Sequence, residues 1–210
     1  MVNYLQLSVF ITTIVISTST FLLSKGLVER YAKDRKMYSY MFWGAGIWLF
    51  GFTTLLEAMF AINIYSTLLA DMYLFLVILL VELLALGSIQ LVKNAGYRKA
   101  YYAFATAVSL IALFYIATAN QPYLIVNYVV AAPLAINVAL WSSVATFAAS
   151  IVIVAVALKG YLYGHSRKLL SIIAGVIVVA VFGTLYIAAL PEFLYFAEFA
   201  GMVLLWIGFR

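Results

Sequence analysis

The sequence predicts an all-α polytopic membrane protein: a single domain of seven transmembrane helices, N-terminus outside and C-terminus cytoplasmic. Three observations carry that prediction. The 210 residues are 68% hydrophobic and 9% charged, with a mean hydropathy of +1.14; a chain that faces water needs far more polar surface. A span takes roughly 20 apolar residues, so seven spans with short connections use nearly the whole length and leave no room for a separate soluble domain. The twelve Lys and Arg residues all fall in or beside alternate connections or at the C-terminus, and the positive-inside rule places those in the cytoplasm.

Helix 1 is expected over about 3–25. Its hydroxyl residues Thr12, Thr13, Ser17, Thr18, Ser19 and Thr20 are able to bond back to their own helix carbonyls. The N-terminus lacks the basic region of a cleavable signal, so this helix reads as retained. Residues 26–37 follow as the most charged connection, with Glu29, Arg30, Lys33, Asp34, Arg35 and Lys36. Helix 2 is expected over about 38–61, helix 3 over about 66–93 and, after a turn holding Arg98 and Lys99, helix 4 over about 100–119. Residues 121–137 are apolar enough to span, but a span there would carry Lys159, Arg167 and Lys168 to the outer side. They read instead as an outer loop between helices 4 and 5, containing Asn127 and Asn137. Pro122 and Pro133 bracket a β-branched and aromatic run there, which fits a short hairpin or a surface-lying segment. Helices 5, 6 and 7 are expected over about 140–163, 169–189 and 191–209, the last opened by Pro191 at a favoured first helical position.

On the cytoplasmic side Arg35, Lys36, Arg98, Lys99, Arg167 and Lys168 make a basic surface. Tyr38, Tyr40, Tyr101, Tyr102 and other tyrosines mark the inner boundary as interfacial anchors. Each junction also places a glycine near a lysine (Lys25-Gly26, Lys93 and Gly96, Lys159-Gly160), where glycine is expected to end a helix.

Helix 3 carries the most informative pattern. Asp71, Glu82 and Lys93 are spaced by eleven residues, about three full turns, so they share one face. Glu82 is near the middle of the span. Glu57 lies toward the outer end of helix 2, in register with Gly46 and Thr53. Glu192 opens helix 7, where an acid suits the helix dipole, and Glu198 lies two turns further in, beside Ala197 and Gly201. No Lys or Arg is available at these depths. An unpaired carboxylate at a helix centre costs on the order of 3 kcal/mol, so such groups are candidates for proton relays or ion sites. The candidate intramembrane site is therefore Glu82, Glu57, Glu198, Asp71 and Thr53, and whether Glu57, Glu82 and Glu198 converge on one cavity open to the outside is the observation that decides it. His165 is expected to be solvated. Trp43, Trp48, Trp141 and Trp206 read as lipid-facing or packing residues.

Several classes are excluded. The chain has no cysteine and one histidine, His165, so no disulfide, thiolate site, bis-histidine haem or multi-histidine zinc site forms within one chain. The charge of +5 belongs to the cytoplasmic loops and implies no nucleic acid.

The stretch from Arg35 to Trp48, the run ELLALGSIQLV that ends helix 3 and the close from Ala197 to Phe209 resemble small prokaryotic seven-helix membrane proteins of unassigned function. That resemblance implies no catalytic residue. The chain shares topology alone with rhodopsins and with sugar-exporter-like carriers, and helix 7 holds no lysine for retinal, so no retinal is expected. The expectation is a multi-pass plasma-membrane protein, a carrier or channel for a proton, cation or small solute. Its expected partners are the bilayer and a homo-oligomer or membrane complex. A ligand-binding sensor or accessory subunit is the second reading, and an intramembrane enzyme with paired carboxylates a third, which no nucleophile–base motif supports.

Overall fold

The chain's three prolines, Pro122, Pro133 and Pro191, all fall between apolar stretches. No proline therefore interrupts backbone hydrogen bonding inside a stretch, and apolar surroundings favour a helix that satisfies every N–H and C=O internally. The computed structural model describes residues 4–119, 125–126, 129–130, 134–187 and 192–209. These form seven helices: α1 (Tyr4–Lys33), α2 (Tyr38–Ala61), α3 (Thr67–Ile89), α4 (Ala95–Thr118), α5 (Ile136–Gly164), α6 (Arg167–Ile187) and α7 (Glu192–Phe209). Two short strands, β1 (Ile125–Val126) and β2 (Val129–Val130), pair antiparallel between α4 and α5, with Ile125 opposite Val130.

The helices form a closed ring. α1 packs on α2, α2 on α3, α3 on α5, α5 on α6, α6 on α7, and α7 returns to α1, while α4 leans on α3 and α5 at the rim. Close approach explains the tightest joints. A Cβ at Gly51 would stand 2.6 Å from the Thr20 hydroxyl, and the Ser17 hydroxyl donates to the Gly51 carbonyl at 2.8 Å, so α1 and α2 touch backbone to side chain. A Cβ at Gly201 would collide with the Val179 side chain, so the bare glycine lets α7 lie close against α6. On α5, Ala145, Ala149, Ile153 and Ala157 are buried at four-residue spacing.

Among the described residues, five helices are long and apolar enough to cross a membrane: α1 from Gln6, then α2, α3, α4 and α5. The most apolar stretch of α2 is 67% buried, whereas those of α4 and α5 are 28% and 22% buried. Leu110, Phe114 and Phe147 point outward, at 62%, 62% and 70% exposure. Outward apolar faces of this extent mark a membrane protein, because water would drive them together.

Several boundaries differ from the sequence expectation. α1 runs on to Lys33, through most of the charged connection. Nothing there stops it: the Lys25–Glu29 pair, at 4.0 Å, sits at helical i,i+4 spacing, and Arg30 and Lys33 suit the negative end of the helix dipole. At 30 residues α1 is about 45 Å long, longer than a bilayer core. α3 stops at Ile89, so Lys93 lies outside it and the Asp71–Glu82–Lys93 stripe is not continuous. α4 begins at Ala95 because Asn94 Oδ1 accepts from the Gly96 N–H at 2.8 Å, which places Arg98 and Lys99 on its first turns. α5 begins at Ile136 and takes in Asn137. None of the three glycines expected to end a helix does so: Gly26 and Gly160 are inside helices, and Gly96 is at a helix start, although α5 does end on another glycine, Gly164. His165 caps α5 in the left-handed region (φ 49°), exposed as expected. Pro122, Asn127, Pro133 and Pro191 lie outside the described residues.

Candidate functional site

The hydroxyl groups that line the ring do not compete for the acids. Thr13 and Thr20 of α1 donate to their own helix carbonyls, as does Thr18. Ser17 and Ser24 instead cross to the carbonyls of Gly51 and Gly44 on α2. Thr53, one turn before Glu57, donates to the Phe50 carbonyl. It therefore lies on the expected face but with its proton already used, so toward the acids it can only accept.

Glu57, Glu82 and Glu198 are all buried, at 1%, 3% and 8% exposure. Among the described residues no Lys or Arg forms an ion pair with any of them. Glu57 of α2 and Glu198 of α7 face each other within hydrogen-bonding reach. Tyr73 of α3 donates its hydroxyl to Glu57 Oε1 at 2.6 Å, and the Phe60 ring packs edge-on against Tyr73 at 5.9 Å. Glu57 Oε2 and Glu198 Oε2 have no donor among the described residues. Two carboxyls are acceptors at both oxygens, so they bond to each other only when a proton lies between them. One turn beyond, Val9, Ala61 and Tyr195 form an apolar cluster. The Tyr195 hydroxyl accepts the Val130 N–H at 3.2 Å, which holds β2 against α7 beside the acid pair.

Glu82 does not join them. It follows Tyr73 by nine residues, about half a turn out of phase and about 13 Å further along α3. Tyr73 faces α2, so Glu82 faces α4, where the Ser109 hydroxyl donates to Glu82 Oε2. Glu82 Oε1 and the Tyr101 hydroxyl are buried without a partner among the described residues. Asp71 keeps the eleven-residue phase with Glu82 and stands two residues before Tyr73, so it too points away from the Glu57–Glu198 pair. Asp71 is half-buried, and its Oδ1 is likewise without a partner. The three glutamates therefore do not converge but form one pair and one separate station, because helical phase turns Glu82 to the other side of α3. Glu192 belongs to the first turn of α7.

No protein-family model matches the chain, and neither a curated protein nor a solved structure matches it either. The site therefore rests on its own geometry. Two contributors escaped the sequence reading. Tyr73 has a legible signal, since it is a tyrosine well inside an apolar span and far from the basic ends. Ser109 has none, because one serine in a span is usually satisfied by its own helix. Tyr101 was expected to be an interfacial anchor, yet its hydroxyl is buried in protein. Trp43 was expected to be lipid-facing or packing. It does pack on Phe209 at 5.0 Å between centroids, and its indole N–H also reaches the Leu84 carbonyl at 3.2 Å and Ser88 Oγ at 3.3 Å.

Proposed function

We propose that this protein is a small proton-linked membrane carrier in which Glu57 and Glu198 hold the transported or coupling proton. The observation that carries the reading is the meeting of two buried carboxyls from α2 and α7 with no Lys or Arg paired to them among the described residues. Intramembrane acids of this kind serve most often as proton or ion stations. The pair joins helices that are far apart in sequence, so gaining or losing its proton alters how α7 sits on α2 and α3. That link between protonation and packing is what alternating access requires. Tyr73 orients Glu57, and Glu82 with Ser109 forms a second station closer to the basic end. In this proposal all seven helices span, the N-terminus lies outside, and the membrane is the plasma membrane. The chain works without a haem, zinc or retinal cofactor and catalyses no covalent step.

The test is proton flux into proteoliposomes loaded with a pH-sensitive dye, under an imposed potential. The parent is expected to acidify the lumen, and Glu57→Gln or Glu198→Gln to reduce the rate at least about tenfold, since each removes one member of the relay. A silent parent, or variants as fast as the parent, would defeat the reading. Orientation is checked separately. The chain is free of cysteine, so a single cysteine at Asn63 should react with an impermeant maleimide on intact cells, and one at His165 only after the cells are permeabilised.

A sensor or accessory subunit is the second reading. The packed, hydrogen-bonded setting of the acid pair favours it, because protonation there would report pH as a change in helix packing. Recovery of a stoichiometric membrane partner in native purification, together with absent flux, would select it over the carrier.

A further inference from the structure

The bundle's basic end contains a feature that the acid stations do not explain. A cleft of about 390 Å³ opens between the start of α2 and the turn joining α3 to α4. Lys36 and Arg98 both line it, from opposite elements, together with Gln90, Ser39, Tyr38 and Trp43, and no acid is among its lining residues. Asp34 is the nearest acid in sequence; it accepts the Lys36 backbone N–H at 3.1 Å, and among the described residues the Lys36 ammonium forms no ion pair with it. The α2 N-terminus itself borders the cleft, and Met37 offers no side-chain cap to its first turn. The Tyr40 N–H is taken by the Met37 carbonyl at 3.0 Å, so the Tyr38 and Ser39 N–H groups and the helix dipole are what favour an anion there. Arg30, over the Tyr40 ring at 5.9 Å, adds a positive charge behind one wall. Gln90 is held by the Tyr102 hydroxyl, and the Trp43 indole is pinned by Leu84 and Ser88, so two walls are rigid before anything binds. Aromatic residues mixed with Lys and Arg characterise the headgroup depth of a bilayer.

We infer that this cleft binds a phosphate group, supplied by the headgroup of an anionic phospholipid, between Lys36 and Arg98. Two cations in a concave site match a phosphate that carries net negative charge, and they discriminate against a headgroup whose phosphate is neutralised by its own choline. The inference needs only the membrane setting and stands whether or not the acid pair carries protons.

The experiment exchanges the purified protein into nanodiscs of phosphatidylcholine with phosphatidylglycerol and counts retained lipids by native mass spectrometry. The parent should retain phosphatidylglycerol preferentially. Lys36→Gln with Arg98→Gln should lose about 25-fold of that preference, at roughly a factor of five per cation. Arg167→Gln with Lys168→Gln, at the same end but outside the cleft, should keep it. The charge-preserving Lys36→Arg with Arg98→Lys also retains a preference and controls for folding. If millimolar inorganic phosphate displaces the lipid and protects the parent from thermal unfolding in detergent, the same residues bind free phosphate and the site stands with that source. A parent without preference, a cleft variant equal to the parent, or equal loss in the Arg167/Lys168 control overturns the inference.

Discussion

Glu57 and Glu82 are the same residue type, buried to the same degree, on adjacent helices of one bundle. Their surroundings differ in one respect. Glu57 meets a second acid and a tyrosine, so its carboxyl is tied to α3 and α7 at once. Glu82 meets one serine on α4 and leaves an oxygen unused. Burial alone therefore assigns neither residue a role; the chemistry of the partner does. A carboxyl facing a carboxyl makes helix packing depend on a proton, whereas a carboxyl whose one partner is a hydroxyl ties only two helices and shares no proton with a second acid.

The largest expected effect tests that contrast directly. In double-mutant cycles read by unfolding in detergent, Glu57→Ala and Glu198→Ala should couple by about 1–3 kcal/mol, as groups in one hydrogen-bonded network do. Glu57→Ala and Glu82→Ala should be additive within about 0.5 kcal/mol, because the two sites share no partner. Strong coupling of the second cycle would merge the two stations into one and restore a single convergent site. The next effect is smaller. Tyr73→Phe removes a donor from a buried carboxyl and should cost about 1 kcal/mol, while Ser109→Ala should cost about 0.6 kcal/mol, the typical value of an interhelical hydrogen bond in a membrane protein. Equal losses at the two positions would mean that the second acid adds nothing to Glu57's environment.

The sequence was legible where physics is local. Composition and the alternation of charge announced the apolar helices, and α2 begins and ends where its pattern does. The eleven-residue step correctly put Asp71 and Glu82 on one face. What one helix cannot reveal is which neighbour its face meets. That depends on how α2, α4 and α7 are rotated around α3, and their nearly uniform apolarity hides the rotation because a buried face and a lipid face are equally apolar. Helix ends were obscured for a related reason. Charge in 26–37 and 94–99 predicts loop, but in α1 the charges extend the helix beyond the apolar core, and at α4 a single Asn94 starts it earlier. The glycine beside each basic junction suggests a terminator, yet Gly26 and Gly160 continue their helices, while Gly201, at small-residue spacing from Ala197, does serve close packing.

The smallest expected effect carries the opposite sign and bears on the weaker member of the comparison. Tyr101 is on α4, eight residues before Ser109 and about two turns nearer the basic end, on the same side of the helix. Its hydroxyl is buried and unpaired among the described residues. A buried hydroxyl without a partner costs the desolvation of that group. Tyr101→Phe keeps the ring and its tilted contact with Phe104, 6.0 Å between centroids, and removes only the oxygen. If the hydroxyl is idle, the change should leave stability unaltered or raise it by up to about 1 kcal/mol, in contrast to the loss at Tyr73→Phe. A loss at Tyr101 as large as at Tyr73 would show instead that the hydroxyl works through a bridging water, and the site around Glu82 would then be a connected network like the one around Glu57.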